Sequence, residues 1–179
     1  DVTKESGIFR KEPSWGVALG DVDNDGFLDL FIATGASLDY SSVATNRLYL
    51  NNGDLTFTEI SASSGVGTRQ GSRGVGFSDY NEDGWTDIFA ANCLGNTPFF
   101  ELFENQGDNT FVDVSVEASI NRRTPGLRRV NPNQSTGVAF GDYDADGDLD
   151  LFSTAWGPHP MIYENVGAGE YARGETDTG

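Results

Sequence analysis

The stretch Gly16-Val17-Ala18-Leu19-Gly20-Asp21-Val22-Asp23-Asn24-Asp25-Gly26-Phe27-Leu28-Asp29-Leu30-Phe31 joins two strand-like flanks through an acidic loop. Val17 and Leu19 alternate with small residues, and Leu30-Phe31-Ile32 is a short apolar run of the kind that forms a buried strand. The stretch recurs. Gly74-Val75-Gly76-Phe77-Ser78-Asp79 and Gly137-Val138-Ala139-Phe140-Gly141-Asp142 repeat its start at offsets of 58 and 63 residues. A second anchor follows each copy, as Leu48-Tyr49-Leu50-Asn51-Asn52-Gly53, Leu102-Phe103-Glu104-Asn105-Gln106-Gly107 and Ile162-Tyr163-Glu164-Asn165-Val166-Gly167. Two anchors in the same order mark a threefold repeat of one supersecondary unit.

Each unit offers four short strands. After the third strand, Asn51-Asn52-Gly53-Asp54 and Gln106-Gly107-Asp108-Asn109 supply hairpin chemistry, because Asn and Gly tolerate positive φ. Val112, Val114 and Val116 alternate with polar residues and read as a fourth strand. No segment sustains a 3.6-residue period, so helix is expected to be almost absent. The fold class is therefore all-β, with three four-stranded antiparallel units at 16–73, 74–136 and 137–179. Asp1-Val2-Thr3-Lys4-Glu5-Ser6-Gly7-Ile8 resembles Asp113-Val114-Ser115-Val116-Glu117-Ala118-Ser119-Ile120, so residues 1–15 read as the last strand of a preceding unit and its linker. The matching place in the third unit, 172–179, lacks apolar alternation and reads as a degenerate last strand. A spare strand at one end and a poor one at the other suggest strand exchange between first and last units, with another copy, or with further sequence.

Composition narrows the function classes. Of 179 residues, 28 are Asp or Glu and 11 are Lys or Arg, a net charge of -17, which argues against nucleic acid as a partner because a phosphate backbone needs a basic face. The 37% hydrophobic content is enough for a packed core. One cysteine, Cys93, cannot form an internal disulfide, and with one histidine, His159, it cannot build a zinc site of the usual kind. No run approaches the roughly 18–20 apolar residues of a membrane helix. The chain opens on Asp1 without a basic, apolar leader, as expected of a sequence whose signal peptide has been removed or was never included.

The acidic loops fit calcium. Asp21, Asp23, Asp25 and Asp29 stand at positions 1, 3, 5 and 9, as do Asp79, Asn81, Asp83 and Asp87, and Asp142, Asp144, Asp146 and Asp150. With the main-chain carbonyl at position 7, from Phe27, Trp85 or Asp148, each loop offers about five to seven hard oxygen ligands, and Gly at position 6 allows the sharp turn. An EF-hand would place a glutamate at position 12. Ile32, Ala90 and Ser153 stand there instead, inside the following strand, so three structural Ca2+ sites of strand-loop-strand type are expected. Magnesium suits such all-protein cages poorly, because it retains its waters. Solvated Asp-Gly turns would explain one such loop more easily than three of identical spacing.

These residues, with the Leu-Tyr-x-Asn-x-Gly hairpins, resemble the FG-GAP-like (VCBS-type) calcium-binding repeats of integrin-alpha-type β-propellers, most closely the bacterial proteins similar to cartilage acidic protein and the ASPIC/UnbV group. The resemblance covers nearly the whole chain. It implies four-stranded blades around an axis, structural calcium in the first hairpin of each blade, placement outside the cell, at its surface or in the periplasm, and ligand or partner binding. Propellers have about 4 to 8 blades, so three units form a partial propeller or one closed by other sequence or chains.

In such a meander the first and third turns lie at one end of the blade and the remaining connections at the other. The end opposite the acidic loops receives the variable segments 35–46, 61–73, 92–100, 117–136 and 155–160. They carry Tyr40, Phe99, Trp156, His159 and the basic island Arg122, Arg123, Arg128 and Arg129. The arginines could attract a carboxylate, a sulfate or an acidic loop, or pair with neighbouring acids. Trp156 could stack on a sugar or plug a core; Trp85 reads as a packing residue, Cys93 as a small buried one, and Asn133-Gln134-Ser135 fits a glycosylation pattern. The leading expectation is a non-enzymatic, calcium-stabilised recognition or adhesion module binding protein, glycan or copies of itself. A structural subunit of a self-assembling array or filament is the alternative. A polysaccharide-active enzyme ranks lowest, since the acids concentrate in the loops and no Gly-x-Ser-x-Gly or phosphate-cradling loop is present.

Overall fold

The computed structural model describes residues 1–8, 12–35, 44–67, 71–92, 100–120, 135–155 and 161–173. Among the described residues twelve strands form three antiparallel meanders. The first contains β1 (Ser14–Gly20), β2 (Asp29–Thr34), β3 (Arg47–Asn51) and β4 (Phe57–Glu59). The second contains β5 (Ser72–Ser78), β6 (Asp87–Asn92), β7 (Phe100–Asn105) and β8 (Phe111–Asp113). The third contains β9 (Ser135–Gly141), β10 (Asp150–Ala155), β11 (Met161–Asn165) and β12 (Tyr171–Arg173). These are three propeller-type blades. Among the described residues the one helix is α1 (Ser61–Ser64), a single turn.

Registers repeat between blades. Gly20 pairs with Asp29, Ser78 with Asp87 and Gly141 with Asp150, so each acidic loop closes a β-hairpin whose return strand starts on the ninth-position aspartate. Side chains alternate across each sheet, and because the sheets stack on one another a central strand is apolar on both faces. On β6, Ile88 and Ala90 join the core shared with the first blade, whereas Phe89 and Ala91 join the core shared with the third. Each interface contains the same edge-to-face pair, Phe31 with Phe77 and Phe89 with Phe140, at centroid distances of 6.5 and 6.0 Å. The first strands approach backbone to backbone. A Cβ on Gly74 would lie 3.1 Å from Gly137 Cα, so glycine is what lets β5 and β9 meet.

Two expectations about strands need correcting. Residues 1–8 contain no strand: 3–7 form a turn closed by Ser6 N donating to Val2 O at 2.9 Å, with Gly7 at φ 84°. The resembling segment does the same, with Ala118 N to Val114 O at 2.8 Å and Ser119 at φ 63°, so β8 ends at Asp113. Valine alternation misled there, because Val112 and Val116 are exposed while Ser115 and Ala118 are buried. These turns make equivalent clasps, the first onto β4 and the second from the end of the second blade onto β12. Ser6 O accepts from Phe57 N at 2.9 Å, and Ala118 O from Tyr171 N at 3.1 Å. In the third blade β12 pairs with β11 over three residues, as β4 and β8 do with their partners, and the rest of the segment read as a degenerate strand, 174–179, lies outside the described residues.

Candidate metal centre

Each loop is built by main-chain N–H groups donating to its own aspartates. Asp21 accepts from Asp25 N at 3.1 Å and Gly26 N at 2.9 Å; Asp79 accepts from Asp83 N at 3.0 Å and Gly84 N at 2.9 Å. Asp142 accepts from Ala145 N at 2.7 Å and Gly147 N at 3.2 Å. The fifth-position carboxylates of Asp25, Asp83 and Asp146 accept from the N–H two residues on. Gly26, Gly84 and Gly147 have φ of 90°, 89° and 105°, conformations that a side chain would strain.

The ninth position carries more than the motif suggested. Asp29 accepts from Val22 N and Asn51 N, both at 2.8 Å; Asp87 from Tyr80 N at 3.1 Å and Asn105 N at 2.8 Å; Asp150 from Tyr143 N and Asn165 N, both at 2.9 Å. All three side chains are buried. Each ties the acidic loop to the start of the neighbouring hairpin in its own blade. Burial raises the Asp29 carboxyl to about 6 against the opposing hydrogen bonds, with Asp23 and Asp25 adding repulsion. Asp87 is raised to about 7 by burial, with a push from Asp83 and Asp79. Burial and neighbouring carboxylates also raise Asp23 and Asp144.

Oxygens of Asp21, Asp23 and Asp29 lie within 4.8 Å of one another, as do those of Asp142, Asp144 and Asp146. In the second loop Asn81 replaces one acid, and its Nδ2 donates to Asp83 Oδ2 at 3.0 Å. Crowded carboxylates in an oxygen-only donor set, part-buried in the first loop and exposed in the third, fit a hard divalent cation. The seventh-position rings cover the adjacent hairpin: a Cβ on Gly53 or Gly107 would lie 2.8 Å from the Phe27 or Trp85 ring. Trp85 thus packs within its own blade. Asp148 takes the corresponding place, 3.6 Å from a Cβ built on Gly167.

Tyr40, Phe99, Arg122, Arg123, Arg128, Arg129, Trp156 and His159, with Cys93 and Asn133, lie outside the described residues. At that opposite end the structure shows a buried polar chain absent from the sequence reading. Thr34 N donates to Asn46 Oδ1 at 3.1 Å, Asn46 Nδ2 to Ser72 Oγ at 2.8 Å, Ser72 Oγ to Asn92 Oδ1 at 2.8 Å, and Asn92 Nδ2 to Glu101 Oε2 at 3.3 Å. No repeat signal exposes it: Arg47 and Met161 stand where Glu101 does in the other blades. Asn105 and Asn165 were legible only as turn residues, yet each side chain reaches the preceding blade, Asn105 Nδ2 to Val22 O at 2.7 Å and Asn165 Nδ2 to Tyr80 O at 2.9 Å.

The model of the FG-GAP-like repeat matches residues 21–90 and again 79–153, spanning both blade interfaces. The chain belongs to the FG-GAP-like repeat family. It is 30% identical over 174 residues to cartilage acidic protein 1 of Mus musculus, covering 92% of this chain and 25% of that protein. The Xenopus tropicalis protein of the same name is 28% identical over 176 residues, covering 96% and 25%. This FG-GAP-like chain therefore spans about a quarter of the length of the curated relatives it matches. Among solved structures, an Agrocybe aegerita lectin that recognises non-reducing terminal N-acetylglucosamine superposes with a TM-score of 0.52 at 19% identity, covering 93% of this chain and 39% of that one. That likeness is one of fold.

Proposed function

We propose that these blades form a non-catalytic recognition module that works outside the cell, stiffened by calcium at one end and binding a protein or glycan at the other. The observation that carries this reading is one hard-donor loop built three times around a buried aspartate that two main-chain N–H groups hold in place. Asp21, Asp23, Asp25, Asp29 and the Phe27 carbonyl would hold the first ion. Asp79, Asn81, Asp83, Asp87 and the Trp85 carbonyl would hold the second, and Asp142, Asp144, Asp146, Asp150 and the Asp148 carbonyl the third. The relatives' name refers to cartilage, an extracellular tissue, in keeping with work outside the cell.

The connections that the sequence reading assigns to the other end carry Tyr40, Phe99, Trp156 and His159, side chains suited to stacking, and the four arginines Arg122, Arg123, Arg128 and Arg129, suited to anion pairing. The sugar named for the lectin of similar fold favours a glycan as the first class to test. Among the described residues no helix is long and apolar enough to cross a membrane. The matched family is a repeat family, in keeping with binding rather than catalysis.

The test is thermal unfolding with and without calcium, followed by a glycan array that includes sulfated polysaccharides. Excess chelator should lower the midpoint by more than about 10 °C, reversed by calcium and poorly by magnesium. An unchanged midpoint removes the ions from the reading, and an array with no retained glycan removes that ligand class. A second reading, self-association into a structural array, is favoured by apolar faces left exposed on the two outer blades, with Val17 64% and Tyr143 52% exposed.

A further inference from the structure

We infer that the three acidic loops act as one cooperative unit, coupled by the side chains of Asn105 and Asn165. This rests on the calcium reading above and adds to it how the sites communicate. Hydrogen bonds run unbroken through all three blades. Asp29 accepts from Val22 N, and the carbonyl of the same Val22 accepts from Asn105 Nδ2. The main-chain N–H of Asn105 donates to Asp87, and Asp87 accepts from Tyr80 N. The carbonyl of Tyr80 accepts from Asn165 Nδ2, and Asn165 N donates to Asp150.

Both asparagines are buried, and each side-chain amide uses both of its donor hydrogens. Each also accepts from a hairpin glycine, Gly107 N at 3.0 Å or Gly167 N at 3.2 Å, and donates to its own loop, at Thr86 O or Leu149 O. Asn51 makes the same two bonds within the first blade, to Gly53 N and Leu28 O. The in-blade role is therefore common to all three, and the bond to the preceding loop is what Asn105 and Asn165 add. Since one residue, Val22 or Tyr80, presents its N–H to the aspartate of its own loop and its carbonyl to the amide of the next blade, fixing one loop restricts the donor of the following one. Asn24 Nδ2 bridges the first two loops directly, at 3.1 Å from Gly84 O. Coupling through such a shared element changes the affinity of a neighbouring site by roughly tenfold.

The experiment is a calcium titration of the full chain by calorimetry, with Trp85 fluorescence as a second-loop reporter in a Trp15→Phe, Trp156→Phe background. Wild type should bind three ions with a Hill coefficient near 2. Asn105→Ala and Asn165→Ala should lower it towards 1, whereas Asn51→Ala, which loses only in-blade bonds, should stay cooperative. Asp23→Ala, a change on the first loop, should weaken the Trp85-reported transition about tenfold, which keeps the test open if an asparagine variant fails to fold. Three ions bound with a Hill coefficient of 1, or a Trp85 transition indifferent to Asp23→Ala, overturns the coupling and leaves the calcium reading intact. No calcium bound at all overturns the calcium reading itself.

Discussion

At the scale of the residue, Asp29 and Asp87 combine two roles, and the combination has a pH signature. Their carboxyls sit near 6 and 7 in the folded chain against 3.8 for an ordinary aspartate, chiefly through burial. The folded state thus binds protons more tightly than the unfolded state between about pH 4 and 7, so stability without ions should fall as pH rises through that window. Repulsion from Asp23 and Asp25 on Asp29, and from Asp83 and Asp79 on Asp87, pushes those two carboxyls further in the same direction. Asp54 and Asp108 are held low by hydrogen bonds from Thr56 and Thr110, so their contribution persists until the pH drops below the usual carboxylate range. In chelator, the unfolding midpoint at pH 5.5 should exceed that at pH 8; with saturating calcium the order should invert, because protons then compete with the ion. A chelated protein that melts lower at pH 5.5 would contradict the burial of these two groups. The motif singled these aspartates out as candidate ligands. It could not show their part as fasteners, because the N–H groups they accept come from residues 7 to 22 positions away.

At the scale of the element, one repeat position has opposite consequences in different blades. Leu19, Phe77 and Phe140 are equivalent on the first strands, yet Phe77 and Phe140 pack into interblade cores while Leu19 is 58% exposed. Phe89→Ala, in the core that Phe140 enters, should cost about 3–5 kcal/mol. Leu19→Ala should stay within about 0.5 kcal/mol of wild type. Denaturant midpoints of the two variants measure the contrast, and equal losses would mean that Leu19 is covered. The first three strands of each blade were legible because alternation and the acidic loop fix them together. The fourth was read too long, since a three-residue strand followed by a left-handed turn leaves no period to count, and Ser6 and Ser64 are buried although polar.

At the scale of the whole molecule, the chain builds the same interface twice and presents both of its halves again on the outside. The outgoing half is Val22 with Phe31 in the first blade and Tyr80 with Phe89 in the second, all buried. Their equivalents in the third blade, Tyr143 and Phe152, stack edge to face at 6.1 Å with Tyr143 exposed. The incoming half is Val75 with Phe77 and Val138 with Phe140, and its equivalents Val17 and Leu19 are exposed on the first blade. The two surfaces are complementary rather than alike, so copies of the chain would meet head to tail, in a contact that closes a ring if the rotation allows and extends otherwise. The 179-residue chain should therefore give a native mass above 19.3 kDa that rises with concentration in calcium, measured by light scattering after size exclusion. Val17→Lys with Leu19→Glu should return it to a monomer without lowering the unfolding midpoint, because neither side chain supports the internal cores. A concentration-independent monomer in wild type would eliminate pairing of these faces between copies, and with it the structural-array reading.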